Sequence, residues 1–428
     1  MPRERNRRIL FISGIGLGQR AAQLLSTLIT LPLVLHALGL AGFGIWGAAT
    51  SLAWLSSMFD LGLGSALLSL LPQAKATGQS ATLHRYITAS LFIAACLSLL
   101  VLGGGAALQL GGRHLPAAPF LAAVVLLALN IPLNISRDIW FGLHKGYIAG
   151  YWEFAQTILT LALLLLAAWA GGGVTVMTIA VYAAMLAINA ASLAHALLRH
   201  PELRPRTRPR LTAVREILTR GSLLFAITIA GSCAYSFDTL FALHWRGAAA
   251  AAQMVIAMRV CTTAIGFLNI ITQPLWPEFV EAAAEGDLPW LSKILRHGTL
   301  LTSALAIAGS ALIVAFGAPV LRWWLHQDMH ISQTFLWVMA AWIIALNLPR
   351  IAGLFLNAAS ELKPQIYLLT AAALLGFILK FFAAQRFGAA GILGTTPILW
   401  LLIVTPAYFW LARRRIRAGK AVHPHPPG

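Results

Sequence analysis

The chain has 428 residues, 59% of them hydrophobic and only 10% charged, and its mean hydropathy is +0.78. Soluble domains carry roughly a quarter charged residues, so this composition excludes a water-soluble enzyme and points to a membrane protein. The net charge of +18 would suggest nucleic acid in a soluble chain, but here it sits in short loops and tails, where membrane topology accounts for it.

Apolar runs of about 18 residues or more, the length of a membrane-spanning helix, recur along the whole chain. Only helices and closed barrels can span a bilayer, and these runs are far longer than the roughly 10-residue alternating segments of a barrel. The fold class expected is an all-α polytopic membrane protein of about twelve transmembrane helices.

Met1–Arg8 carries four arginines and precedes an apolar stretch too long for a secretory signal, so it reads as an inner tail before an uncleaved first span. Span 1 runs Ile9–Leu38 with Arg20 inside it, and Gly39–Gly42 is a tight outer turn. Span 2 runs Phe43–Leu71 and contains Asp60, with Gly62 and Gly64 beside it to loosen the helix or allow close packing. Spans 3 to 6 follow at Tyr86–Leu110, Phe120–Leu143, Tyr147–Ala170 and Val174–Leu198. The stretch from Arg199 to Arg220 holds seven arginines, and Pro201, Pro205 and Pro209 keep much of it from being helix. It reads as a basic inner connector between two greasy halves. Spans 7 to 12 follow at Ile217–Leu243, Ala248–Trp276, His297–Val320, Ile331–Leu356, Pro364–Ala384 and Ala389–Ala412, with a basic tail from Arg413. The domains are thus a six-helix lobe over 1–198, a connector over 199–216, a second six-helix lobe over 217–412 and a tail over 413–428.

The charges support this layout. Of 31 Lys and Arg, 24 fall in inner segments or the inner ends of the adjoining spans, four in outer loops (Arg113, Arg246, Arg322 and Arg386) and three deeper inside spans (Arg20, Arg259 and Lys380). Both termini are expected in the cytoplasm. The halves read as diverged repeats: Leu71-Pro72 is echoed by Trp276-Pro277, and Asn130-Ile131-Pro132 in span 4 by Asn347-Leu348-Pro349 in span 10. An even number of spans per repeat relates the lobes by a pseudo-two-fold along the membrane normal, around a central cavity.

The opening then shows a resemblance. Leu31-Pro32-Leu33-Val34-Leu35-His36-Ala37-Leu38-Gly39, the following Gly42-Phe43-Gly44, and Phe59-Asp60-Leu61-Gly62-Leu63-Gly64-Ser65-Ala66 resemble the first two helices of O-antigen and exopolysaccharide repeat-unit flippases. These polysaccharide-biosynthesis proteins belong to the multidrug, oligosaccharidyl-lipid and polysaccharide exporter superfamily. The local match covers about the first seventy residues, and the twelve-span, two-lobe layout extends it. The resemblance implies alternating access, a polyprenyl-pyrophosphate-linked oligosaccharide moved from the inner to the outer leaflet of a bacterial inner membrane, and no chemistry or cofactor. It implies glycosyltransferases and a polysaccharide polymerase or ligase as partners, and no nucleic acid. Lipid II flippases of the superfamily place arginines in the first and eighth helices, where Arg20 and Arg259 fall.

A charge near the bilayer centre costs about 2.5–3.5 kcal/mol on insertion scales, so such residues face a bundle interior, a cavity or each other. Arg20, Arg259 and Lys380 are the candidate cationic cavity for a pyrophosphate, which an arginine fork suits. Their second reading is snorkelling, or pairing with Asp60, Asp138 or Asp238. Those three carboxylates are candidates for ion coupling or structural pairing; Asp138, Asp238 and also Glu153 lie nearer span ends. Pro132 and Pro349 should kink spans 4 and 10. Trp140, Trp152, Trp169, Trp245, Trp323, Trp324 and Trp410 fall near interfaces, as aromatic belts do, whereas Trp46 and Trp54 should pack in the core.

Other motifs fail. Gly14-Ile15-Gly16-Leu17-Gly18 lacks dinucleotide spacing, there is no P-loop, and no histidines have zinc spacing. Cys96, Cys233 and Cys261 all fall in apolar runs and suggest neither disulfides nor a metal. Two rivals stand beside the flippase reading. A drug/cation antiporter of the same superfamily needs acidic cavity groups, and the spans hold more basic than central acidic ones. A membrane polysaccharide polymerase or ligase would show a long polar outer loop, and the outer segments are short.

Overall fold

The computed structural model describes residues 2–53, 62–76, 80–111, 117–143, 145–205, 208–272, 275, 279, 282, 287–326, 331–359 and 361–417. Among these the chain is helical, with no strand, and it divides into two compact units, Met1–Ala226 and Ile227–Gly428.

The first unit contains α1 (Pro2–Ser51), α2 (Leu63–Ala76), α3 (Ser80–Gly111), α4 (Ala117–Gly142), α5 (Gly146–Trp169) and α6 (Val174–Arg199). In this unit α4 packs against α2, α3 and α6, and α5 packs against α1 and α6. Leu67, Leu71, Ile87, Ile135, Ile139 and Trp140 close the core between them. The outward faces are apolar too: Leu99 is 70% exposed, and in the second unit Leu402 is 73% exposed. Large apolar side chains standing bare along whole helices suit hydrocarbon rather than water.

After α6 the chain makes a short 3-10 turn at Pro201–Leu203, with Leu203 fully buried. His84 donates to the Arg204 carbonyl at 2.8 Å, and the Arg204 Nε donates to the Leu197 carbonyl at 2.9 Å, so the connector is tied to its own unit. The helix α7 (Leu211–Ser236) begins six residues before the expected start of span 7, because no proline follows Pro209.

The second unit adds α8 (Asp238–Arg246), α9 (Ala248–Thr272), α10 (Leu288–Leu325), α11 (Gln333–Asn347), α12 (Arg350–Ala358) and α13 (Leu362–Leu399). A π-helical turn at Trp400–Val404 then leads into α14 (Thr405–Arg417). Capping side chains set two of these starts: Asp287 accepts from the Trp290 amide, and Ser332 from the Phe335 amide.

Nine described segments are long and apolar enough to span a membrane. The other three of the expected twelve are accounted for locally. Span 2 includes 54–61, which lie outside the described residues. Span 7 is broken between α7 and α8. Spans 11 and 12 run together in the segment Leu362–Arg417, where two helices meet at Gly388 (φ 61°, ψ −142°), a left-handed angle open to glycine. Spans 1 and 2 meet likewise inside α1, at Gly39 (φ 66°).

The repeat is present, but not in the register the proline echo gives. Ser98 Oγ donates to the Ala128 carbonyl at 2.6 Å, and Ser310 Oγ to the Ala340 carbonyl at 3.3 Å. A Cβ on Gly105 would meet Val124, and one on Gly317 would meet Leu336. Each member of the second set lies 212 residues after its counterpart. Asn347 and Pro349 lie 217 residues after Asn130 and Pro132, so that echo is five residues out of register. The two prolines also behave differently. Pro132 sits inside the continuous α4, where the carbonyl it deprives of a partner, Ala128, is the one Ser98 takes. Pro349 stands in the break between α11 and α12. Asp60, Trp54, Trp276-Pro277 and the tail from residue 418 lie outside the described residues.

Candidate functional site

The first unit has a half-open cavity of about 330 Å³ among α1, α4, α5 and α6. It lies toward the end of the bundle where α4 turns into α5. Because α4 and α5 run antiparallel through that turn, Arg137 and Glu153 come opposite one another, and Arg137 Nε meets Glu153 Oε1 at 2.8 Å. Deeper along the helices, Asn189 Nδ2 donates to Asn130 Oδ1 at 2.8 Å, which joins α6 to α4. Toward the turn, the Trp152 indole N–H donates to His195 Nδ1 at 3.3 Å and that of Trp140 to Ser192 at 3.1 Å. Lys145 Nζ then contacts His200 Nε2 at 3.0 Å, and His200 Nδ1 contacts Glu202 at 2.8 Å. Trp140 is therefore a buried, hydrogen-bonded core residue rather than a member of an interfacial belt. Trp169, at 88% exposed, and Trp323, at 76%, do stand at the surface. Trp46 is buried against Phe43, as core packing requires.

The second unit has a buried ion pair. Lys380, on α13, reaches Asp238 Oδ1 and the carbonyl of Ala234, with both charged side chains almost fully buried. Asp238 opens α8 just past the break after α7, and Ala234 is the last turn of α7 before that break. Thr396 Oγ1 also donates to Ala234, at 3.3 Å. Asp238 Oδ2 has no hydrogen-bond partner among the described residues.

Of the residues singled out in sequence, Lys380 and Asp238 are thus brought together across 142 residues. Arg259 stands alone near the middle of the 25-residue α9, with an exposed side chain and no ion pair among the described residues. Arg20 lies on α1, and its side chain is outside the description, as is Asp60 altogether. Asp138 is half-buried on α4 beside Arg137. Gly62 (φ 77°) approaches the backbone of Gly221 so closely that a Cβ would sit 2.3 Å from its carbonyl oxygen.

Two cations were hidden by counting them as loop charges. Arg137 and Glu153 could have been paired in advance, since they lie at mirrored distances from the turn at Lys145. Arg350 opens α12 immediately after the Pro349 break, half-buried, and its Nε lacks a partner among the described residues. Asn347, fully buried at the end of α11, leaves both amide atoms without partners there.

Comparison with known proteins agrees with this architecture. A family model described as polysaccharide biosynthesis protein matches residues 12–283. No curated protein matches the chain in sequence. Among solved structures, an inward-facing multidrug resistance MATE family transporter of the MOP superfamily superposes with a TM-score of 0.77 at 15% identity, covering 93% of this chain and 95% of that one. The lipid II flippase MurJ in an inward-closed conformation gives 0.71 at 14% identity, covering 94% and 87%. A MOP superfamily transporter from Pyrococcus furiosus, described as having a binding pocket of reversed polarity, gives 0.60 at 15% identity, covering 94% and 96%. At these identities the likeness is one of fold.

Proposed function

Since the chain belongs to the polysaccharide biosynthesis protein family, a family of membrane-embedded transporter fold, we propose that it is a flippase. It carries a polyprenyl-pyrophosphate-linked oligosaccharide from the inner to the outer leaflet by alternating access and performs no chemistry on it. The observation that supports this reading most is the charge inventory of the spans. Glu153 and Asp238 are each neutralised by a cation at contact distance, while Arg259, at the middle of its helix, has no ion pair among the described residues. A mid-span arginine left to hydrocarbon would be costly, so in this reading it faces the transport path. A mid-span cation with no ion pair among the described residues suits a pyrophosphate better than an organic cation, which favours the flippase over the drug antiporter.

In this reading Arg20 and Arg259 are each candidate ligands for the pyrophosphate, which an arginine fork suits. Lys380 is committed to Asp238 and holds the second unit together. The membrane is the inner membrane of a bacterium, with both termini and the basic connector on its cytoplasmic side. The product serves surface polysaccharide assembly, with glycosyltransferases before it and a polymerase or ligase after it.

The test is flipping of a lipid-linked oligosaccharide in proteoliposomes by wild type, Arg20→Ala and Arg259→Ala. Each variant should lose about tenfold or more in rate, the size of one charge-assisted hydrogen bond, while inserting normally. Wild type that moves no glycolipid and instead exchanges an organic cation for protons would replace this function with the antiporter.

A further inference from the structure

We propose that the cavity of the first unit is a glycan subsite, which takes one or two neutral sugar residues of the transported lipid; this rests on the flippase reading above. A cavity lined with polar groups inside a bundle of spanning helices requires a reason, because each polar side chain there carries an insertion cost. Here the polar groups are numerous: hydroxyls of Ser136 and Thr157, one ion pair, and a set of carboxamides. Gln23, Asn134 and Gln156 bring three carboxamides to the wall from three different helices, α1, α4 and α5. None of these three side chains is engaged in a hydrogen bond among the described residues, whereas Asn189 and Ser192, which also line the cavity, are already bonded to protein.

The electrostatics select the ligand class. The two charged groups in the wall, Arg137 and Glu153, cancel each other at 2.8 Å. A cavity whose charge is satisfied internally offers little to a pyrophosphate and little to a cation. A carboxamide has a donor and an acceptor side by side, which matches a sugar hydroxyl, itself both donor and acceptor. Trp152 adds an aromatic wall, and its ring is fixed by the hydrogen bond from its N–H to His195. One fixed aromatic face and free amides around a neutral space suit a polyhydroxylated ring.

Size and position agree. At about 330 Å³ the cavity stands at the lower end of the roughly 300–1,000 Å³ found for small-molecule sites, too small for a whole oligosaccharide and large enough for a terminal portion. It lies near the α4–α5 turn, at the end of the bundle that the charge bias places inside, where a lipid-linked sugar would be loaded. The division of labour is then clear: arginines read the pyrophosphate, which is common to all such lipids, and the neutral cavity reads the sugar, which differs between them.

The experiment compares two lipids in proteoliposomes, a polyprenyl pyrophosphate bearing the host's own oligosaccharide and the same carrier without sugar, with wild type, Asn134→Ala, Gln156→Ala and Arg259→Ala. Wild type should prefer the glycosylated lipid. Asn134→Ala and Gln156→Ala should each cut that preference by about tenfold, one neutral hydrogen bond's worth, with the loss falling on the glycosylated lipid. Arg259→Ala should slow both lipids and leave their ratio intact. Equal loss on both lipids in the two amide variants would mark a packing role and overturn the subsite, as would an undiminished preference; either leaves the flippase reading standing. Wild type that moves neither lipid overturns both.

Discussion

The pair of Lys380 and Asp238 shows how a single charged residue is made tolerable inside a membrane protein. Alone, either would be a buried ion; together they are neutral, and the backbone break after α7 supplies an additional acceptor at Ala234. Removing one member of a buried pair leaves the other uncompensated, a loss of about 3–5 kcal/mol. We therefore expect Lys380→Met and Asp238→Asn each to lower the unfolding midpoint of the detergent-solubilised protein sharply. The double variant Lys380→Met with Asp238→Leu should recover most of it, because well-packed apolar residues often replace an ion pair without loss. A double variant no better than the singles would mean that the pair does more than neutralise itself. The charges of this site were visible in sequence; their pairing was not. Asp60, Asp138 and Asp238 stood as equal partners for the mid-span cations, because a separation of 142 residues is bridged only by the packing of α13 on α8. The amide wall of the first-unit cavity was missed for a related reason. Gln23, Asn134 and Gln156 are unremarkable one at a time, and only the bundle gathers them.

At the scale of the helix, the lesson lies in what a proline does in two settings. Pro132 removes one backbone donor, and Ser98 on the neighbouring helix fills the gap at Ala128, so α4 runs on. Pro349 stands in a break flanked by Asn347 and Arg350, whose buried polar atoms lack partners among the described residues. A helix interrupted at mid-membrane with polar groups in reserve can change its path at low cost. Pro349→Ala should therefore slow flipping several-fold, about what a stiffened hinge produces, while Pro132→Ala keeps most of the wild-type rate; stopped flipping in proteoliposomes reads both. Equal behaviour would remove the hinge role from span 10. Apolar runs made the helices legible because each run is long and local. The glycine junctions at Gly39 and Gly388 also fell where the sequence placed turns. The repeat was legible as a fact but not in register, since Asn-x-Pro is a short string, whereas the serine–carbonyl and glycine contacts that fix the offset exist only between helices.

For the whole molecule the decisive property is the sign of its ends. Lys and Arg concentrate on alternate loops, and the direction of transport in the flippase reading depends on which side those loops face. The positive-inside bias acts on short loops close to span ends, which is the case for the connector at Arg199–Arg210 and for the basic end of α14. Two positions can test it without disturbing the packing. A side chain at Gly173, in the sparsely charged turn between α5 and α6, would meet nothing within 4 Å, and Arg208 in the connector is exposed. In a chain whose three native cysteines are replaced, a membrane-impermeant thiol reagent should label Gly173→Cys in intact cells. It should label Arg208→Cys only after the cells are opened. The reverse pattern would turn the molecule over in the membrane, place the first-unit cavity at the outer leaflet and make import, not export, the direction its charges favour. The fold is indifferent to that choice, since helix packing is the same either way up. The basic loops are what fix it, and they do so through the membrane rather than through any contact inside the protein.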